Sequence, residues 1–177
     1  MNGRDAGKLA RGPLLANGMK PVLYLIGLVL LSTAGMLLIP MAVDLYFENP
    51  DWQSFAYAAA LAGAVGMTLM QIGRTSLQAG LTLRQAFLLT PLCWLSVSLV
   101  SAMPFFFADY GIVSRSMADA FFEAVSGITT TGGTVITGLE NAPPGMLLWS
   151  ALLQWMGGIG IIATAIAILP ALGIGGM

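Results

Sequence analysis

The sequence contains no histidine, one cysteine and very little charge. The missing imidazole removes Ser-His and Cys-His catalysis and every histidine-ligated metal site. Cys93 stands alone inside an apolar run, so there is neither an internal disulfide nor a cysteine metal cluster, and the thiol reads as a small buried hydrophobe. Only 8% of the 177 residues are charged while 57% are hydrophobic. A soluble domain carries roughly a quarter charged residues, so this chain cannot cover itself for water. The net charge is −1 and the basic residues form no stripe. Nucleic acid is therefore excluded as a partner.

What is present is apolar sequence in lengths that match a bilayer, whose crossing takes about 20 residues. Residues 1–20 are polar and basic, and read as a mostly disordered arm. Pro21–Val43 is an uninterrupted apolar span, too long for a signal-peptide core and followed by no small-residue cleavage site. An acidic loop, Asp44–Asp51, separates it from a second span, Trp52–Ile72. Residues 21–84 thus form two leading transmembrane helices with a polar turn, Gly73–Arg84. Residues 85–177 open with a third span at 85–107 and include a fourth at 146–169. In the second span Ala58, Ala62 and Gly66 recur every four residues, with Ala59 and Gly63 beside them, a face on which two helix backbones can approach closely.

Between the third and fourth spans, Met117–Ile128 is apolar but only twelve residues long. As a helix it reaches about 18 Å, short of a hydrocarbon core of about 30 Å. Ser116-Met117-Ala118-Asp119 has the form of a helix N-cap with an acid beside the positive helix end. Thr129-Thr130-Thr131-Gly132-Gly133 then stops the helix. A short helix followed by a polar run between two full spans predicts a re-entrant pore hairpin, with a filter strand at 129–133. Non-helical backbone at membrane depth is tolerated only where protein buries it or water meets it. Threonine carbonyls in such a strand can replace a cation's water shell, the β-branched side chains brace the backbone, and Gly132 permits a positive φ. On pattern alone a second reading stays open, a polar turn whose threonines satisfy their own backbone.

Charge distribution gives an orientation. The layout puts Arg4, Lys8, Arg11, Lys20, Arg74 and Arg84 on one side and only Arg115 on the other, so the N-terminus is expected in the cytoplasm and the hairpin enters from outside. Tyr46, Phe47, Trp52, Phe55 and Tyr57 flank the outer loop as an interfacial belt.

Other motifs carry less. Gly158-Ile159-Gly160-Ile161-Ile162-Ala163 has the dinucleotide-binding form, but it lies inside a span with no acid following, so helix packing or local flexibility is the reading. Ser126 has no general base. Asp119 and Glu123 lie four apart, and solvated cation attraction or helix capping is expected of them rather than acid–base work. Gln154 is expected to make an interhelical hydrogen bond. No enzyme activity and no cofactor are expected.

The segment from Asp119 to Val135, together with Leu148–Ile162 and the ending Ile168–Met177, resembles the first pore loop and following helix of TrkH-type potassium-uptake proteins, within the Trk/Ktr/HKT superfamily. The resemblance implies an all-α membrane protein: two leading transmembrane helices, then one helix–pore loop–helix repeat of a potassium-channel-like fold. It implies potassium uptake, as a symporter or down the electrochemical gradient, across the cell (inner) membrane. Carried over, Thr130, Thr131 and Gly132 offer backbone carbonyls to potassium, with Thr129 at the inner end. The family usually has alanine where Gly133 stands, which bears on local flexibility. Four repeats surround one pore in the family, whose gating loop and pore-narrowing basic residue lie in later repeats. A chain ending at Met177 is therefore expected to be one quarter of the pore. The implied partners are potassium, membrane lipid, the remaining repeats, a second copy in a homodimer and a cytoplasmic nucleotide-binding regulatory subunit. The competing expectation is a truncated, non-transporting membrane fragment held by helix packing.

Overall fold

A computed structural model describes residues 12–74, 81–109 and 116–168. Arg4, Lys8, Arg11, Arg115 and the ending 169–177 lie outside them. Every regular element described is helical: α1 (Gly12–Tyr46), α2 (Trp52–Ile72), α3 (Leu83–Phe107), α4 (Met117–Ile128), a 3-10 turn (Leu139–Asn141) and α5 (Pro144–Ile168). Among the described residues, four stretches are long and apolar enough to cross a membrane: Gly18–Tyr46, Trp52–Ile72, Leu83–Phe107 and Pro144–Ile166. The chain is a multi-pass membrane protein.

Helix α1 extends beyond the expected span at both ends. Its start at Gly12 makes the last part of the expected disordered arm helical, and Pro21 and Pro40 sit inside it rather than at its ends. Proline interrupts one backbone bond, but membrane helices accept it where neighbours re-satisfy the freed group. At the other end Asp44 belongs to the last turn of α1 and is fully buried, not part of a solvated acidic loop.

Glycine decides how α1 and α2 cross. A methyl placed on Gly27 would come within 2.6 Å of the Gly66 carbonyl, and one on Gly66 within 2.9 Å of the Gly27 carbonyl. Ala58 and Ala62, each fully buried, continue the same face, as the spacing of small residues predicts. Phe55 is 2% exposed and joins this core instead of the aromatic belt, whereas Tyr46, Phe47 and Tyr57 remain exposed.

Helix α3 begins with a reciprocal cap: Gln85 N donates to the Thr82 hydroxyl at 3.3 Å and Thr82 N donates to Gln85 Oε1 at 2.9 Å. Cys93 is half-buried and unpaired. Helix α5 buries Met146, Trp149 and Leu153, and the Trp149 indole N–H donates to the Ser101 carbonyl of α3 at 3.1 Å. Its first turn is fully served. Pro144 has no N–H, Gly145 N donates to Asp44 Oδ1 at 2.6 Å, and Met146 N donates to the Pro143 carbonyl at 3.0 Å. A carboxylate of α1 thus caps the helix that follows the pore loop.

Candidate functional site: the α4–loop hairpin

Helix α4 is the short helix expected between the two spans. Ser116 caps it, its hydroxyl accepting from Asp119 N at 3.2 Å. Two glycines let it lie against α5. A methyl on Gly127 would stand 3.0 Å from Leu153 Cβ, and one on Gly157 would overlap the Ile128 carbonyl. A methyl on Gly160 would stand 3.6 Å from the Trp94 ring, an ordinary contact, so the dinucleotide-like motif lies along a helix face packed on α3.

The backbone after Ile128 turns back on the end of its own helix. Thr129 N donates to the Val125 carbonyl at 2.9 Å, Thr130 N to Gly127 at 3.0 Å, and Thr131 N and Gly132 N to Ser126 at 2.9 and 3.4 Å. The carbonyls left over at a helix C-terminus thereby absorb the N–H groups of the threonine run. Thr129 also donates its hydroxyl to Val125 O at 2.7 Å. That leaves Thr131 as the donor in the hydroxyl pair between them at 2.8 Å. In this respect the threonines do satisfy their own backbone.

Thr129 and Thr130 form a turn at the helix end, and the backbone after them is not that of an ordinary strand. Thr129 has φ −84°, Thr130 +57° and Gly132 +75°. Thr131 and Gly133 are not among the residues of positive φ, so the sign alternates from 129 to 133. Gly132 takes the left-handed conformation expected of it. Thr130 does so as the left-handed residue that follows the helix C-cap, its own N–H bonding Gly127 and that of Thr131 bonding Ser126, a place glycine usually takes and a β-branched residue seldom does. Nothing in its sequence context signals this. Among the described residues, no hydrogen bond ends on the carbonyl oxygens of Thr129, Thr130, Thr131 or Gly132. All four residues are exposed in this chain.

The strand is also fastened beyond Gly132. The Ser126 hydroxyl donates to the Gly133 carbonyl. Glu123 Oε2 accepts from the Thr134 hydroxyl at 3.0 Å and from Val135 N at 3.1 Å. Glu123 is only 6% exposed, so the expectation of a solvated, cation-attracting pair with Asp119 is overturned for it. Sequence spacing gives the shared helix face but not what covers it. Gln154 is exposed and makes no hydrogen bond to the described residues, contrary to expectation.

Two full spans bracketing a short capped helix and an irregular return strand define a re-entrant-loop membrane protein. The sequence model of TrkH, a cation transport protein, matches residues 53–177, and the chain belongs to the TrkH family. It is 36% identical over 159 residues to the Trk system potassium uptake protein TrkH of Halomonas elongata, covering 90% of this chain and 32% of that protein. Against the Escherichia coli protein of the same name it is 37% identical over 158 residues, covering 89% of this chain and 32% of that protein. The crystal structure of the potassium transporter TrkH from Vibrio parahaemolyticus superposes with a TM-score of 0.77 at 32% identity, over 90% of this chain and 33% of that one. The chain thus spans about a third of the length of the relatives it matches.

Proposed function

We propose that this chain forms one wall of a potassium-uptake pore, with the backbone carbonyls of Thr130, Thr131 and Gly132 as ion ligands and Thr129 at the inner end of the strand. The observation that carries the reading is the alternating sign of φ from Thr129 to Gly133. An ordinary strand points successive carbonyls to opposite sides; alternating left- and right-handed residues turn them to the same side. Carbonyls turned to one side and not used by the described protein would offer a dehydrated cation the oxygens it needs. The end of α4 adds the partial negative charge of a helix C-terminus. The relatives' designation as potassium uptake proteins supplies the ion.

Closure of the pore requires the remaining repeats or further copies, and the assembled protein is a homodimer with a cytoplasmic regulatory subunit in this reading. The lysine and arginine distribution places the N-terminus in the cytoplasm. Reporter fusions after Leu45 and Gly138 should then read as extracellular, and a fusion after Leu77 as cytoplasmic; a cytoplasmic signal at Gly138 contradicts the hairpin. The test of the ligands is Gly132→Ser, made with this chain joined to the remaining repeats. A side chain at φ +75° strains the backbone by about 1–2 kcal/mol, so potassium selectivity over sodium should fall while membrane levels hold. Unchanged selectivity and affinity remove Gly132 from the site.

A further inference from the structure

We propose that Glu123 is a selectivity-determining positioning residue whose buried carboxylate fixes the outer end of the ion-binding strand. The proposal rests on the reading of residues 129–132 as the ion's ligands and assigns a role to a group that does not touch the ion.

Glu123 sits five residues before the last residue of α4 and faces the returning chain. One oxygen, Oε2, receives both the Thr134 hydroxyl at 3.0 Å and Val135 N at 3.1 Å. The Thr134 hydroxyl in turn accepts from Ile136 N at 3.0 Å. Three consecutive residues are thereby tied, directly or through Thr134, to one side chain of the pore helix. Ser126, one turn further along α4, ties Gly133. At the other end the carbonyls of Val125, Ser126 and Gly127 hold residues 129–132. The strand is stitched to its own helix at both ends, and the carbonyls not used by protein lie between the stitches.

A carboxylate suits this place. Its oxygen accepts two hydrogen bonds that are charge-assisted, and burial removes the water that would compete for them. Among the described residues no lysine or arginine pairs with it, so its bonds go to the strand. Sodium is smaller than potassium, and a strand free to move inward can contract around it. Holding Thr134–Ile136 in place opposes that contraction. Loosening this end should therefore reduce discrimination more than maximal flux.

The experiment measures rubidium uptake with and without competing sodium, at matched membrane levels, for the chain joined to its remaining repeats. Glu123→Ala, which removes both bonds, should lower potassium-over-sodium selectivity by about tenfold, the equivalent of one charged hydrogen bond. Glu123→Gln keeps an acceptor oxygen in place and should recover most of that loss, within about threefold of the parent. Should the alanine protein fail to reach the membrane, Thr134→Val reads the same link from an exposed position and should also lower selectivity. Wild-type selectivity in the alanine variant, or in Thr134→Val where alanine is lost, overturns the proposal. Glutamine as damaging as alanine overturns it too, because charge rather than bonding geometry is then what matters. Gly132→Ser in the same assay separates the two readings. Its loss of selectivity beside a normal Glu123→Ala refutes only the role of Glu123, whereas a normal Gly132→Ser refutes the ligand assignment beneath it.

Discussion

Gly157→Ala tests whether the proposed filter strand is positioned by the contact between α4 and α5. A β-carbon at this position would lie 2.7 Å from the Ile128 carbonyl carbon and 3.2 Å from its α-carbon, and would overlap the carbonyl oxygen itself. Carbon atoms in contact rest at about 3.5–4.0 Å, so a displacement on the order of 1 Å is needed. The obstructing atoms are backbone, not the tip of a side chain, and Ile128 directly precedes Thr129. Overpacking of this kind costs about 1–3 kcal/mol. If as little as about 1.4 kcal/mol of it appears as distortion of the proposed ion ligands, selectivity changes by about tenfold. The control is Gly158→Ala, where no described atom lies within 4 Å of the new methyl. Both substitutions gain the same helix propensity, about 1 kcal/mol, so that term cancels in the comparison. Rubidium uptake against sodium, with the chain joined to its remaining repeats, should be normal in Gly158→Ala and poorly selective in Gly157→Ala. Equal behaviour of the two variants would refute the idea that α5 sets the position of α4.

Thr131→Val keeps β-branching and loses the hydroxyl that donates to Thr129, a cost of about 0.5–1.5 kcal/mol, so uptake should largely survive. Thr131→Gly frees the backbone and should damage selectivity more; abolished transport in valine with tolerance of glycine would make the side-chain oxygen the ligand. Asp44→Ala removes the cap from Gly145 N and should lower the thermal midpoint of the detergent-solubilised protein by the equivalent of about 1–2 kcal/mol. Asp44→Asn keeps an acceptor and should lose less, so an unaltered midpoint in the alanine variant removes the cap from the account.

The helices were largely legible because each carries its own signal. Trp52–Ile72 and Met117–Ile128 begin and end where apolar length, caps and glycines place them. Gly132 was legible for the same reason, since a left-handed residue in a polar run calls for glycine. What was hidden depends on partners distant in sequence. Asp44 reads as a loop acid until Gly145, about a hundred positions later, is brought to it. Glu123 reads as an exposed helix charge until the chain returns over it through Thr134 and Val135. Thr130 was hidden differently: its positive φ comes with the bonds of its own N–H to Gly127 and of Thr131 N to Ser126 at the helix end, and threonine itself gives no sign of it.

Every described hydrogen bond that shapes the return strand joins residues between Glu123 and Ile136, none more than twelve positions apart. Closing loops so short demands little chain entropy, and contacts this local form early. The strand's curvature can therefore be complete before any other wall of the proposed pore arrives, without a cation or a neighbouring strand as template. Assembly of the proposed pore then becomes a matter of bringing finished faces to a common axis, and an error in one wall stays in that wall.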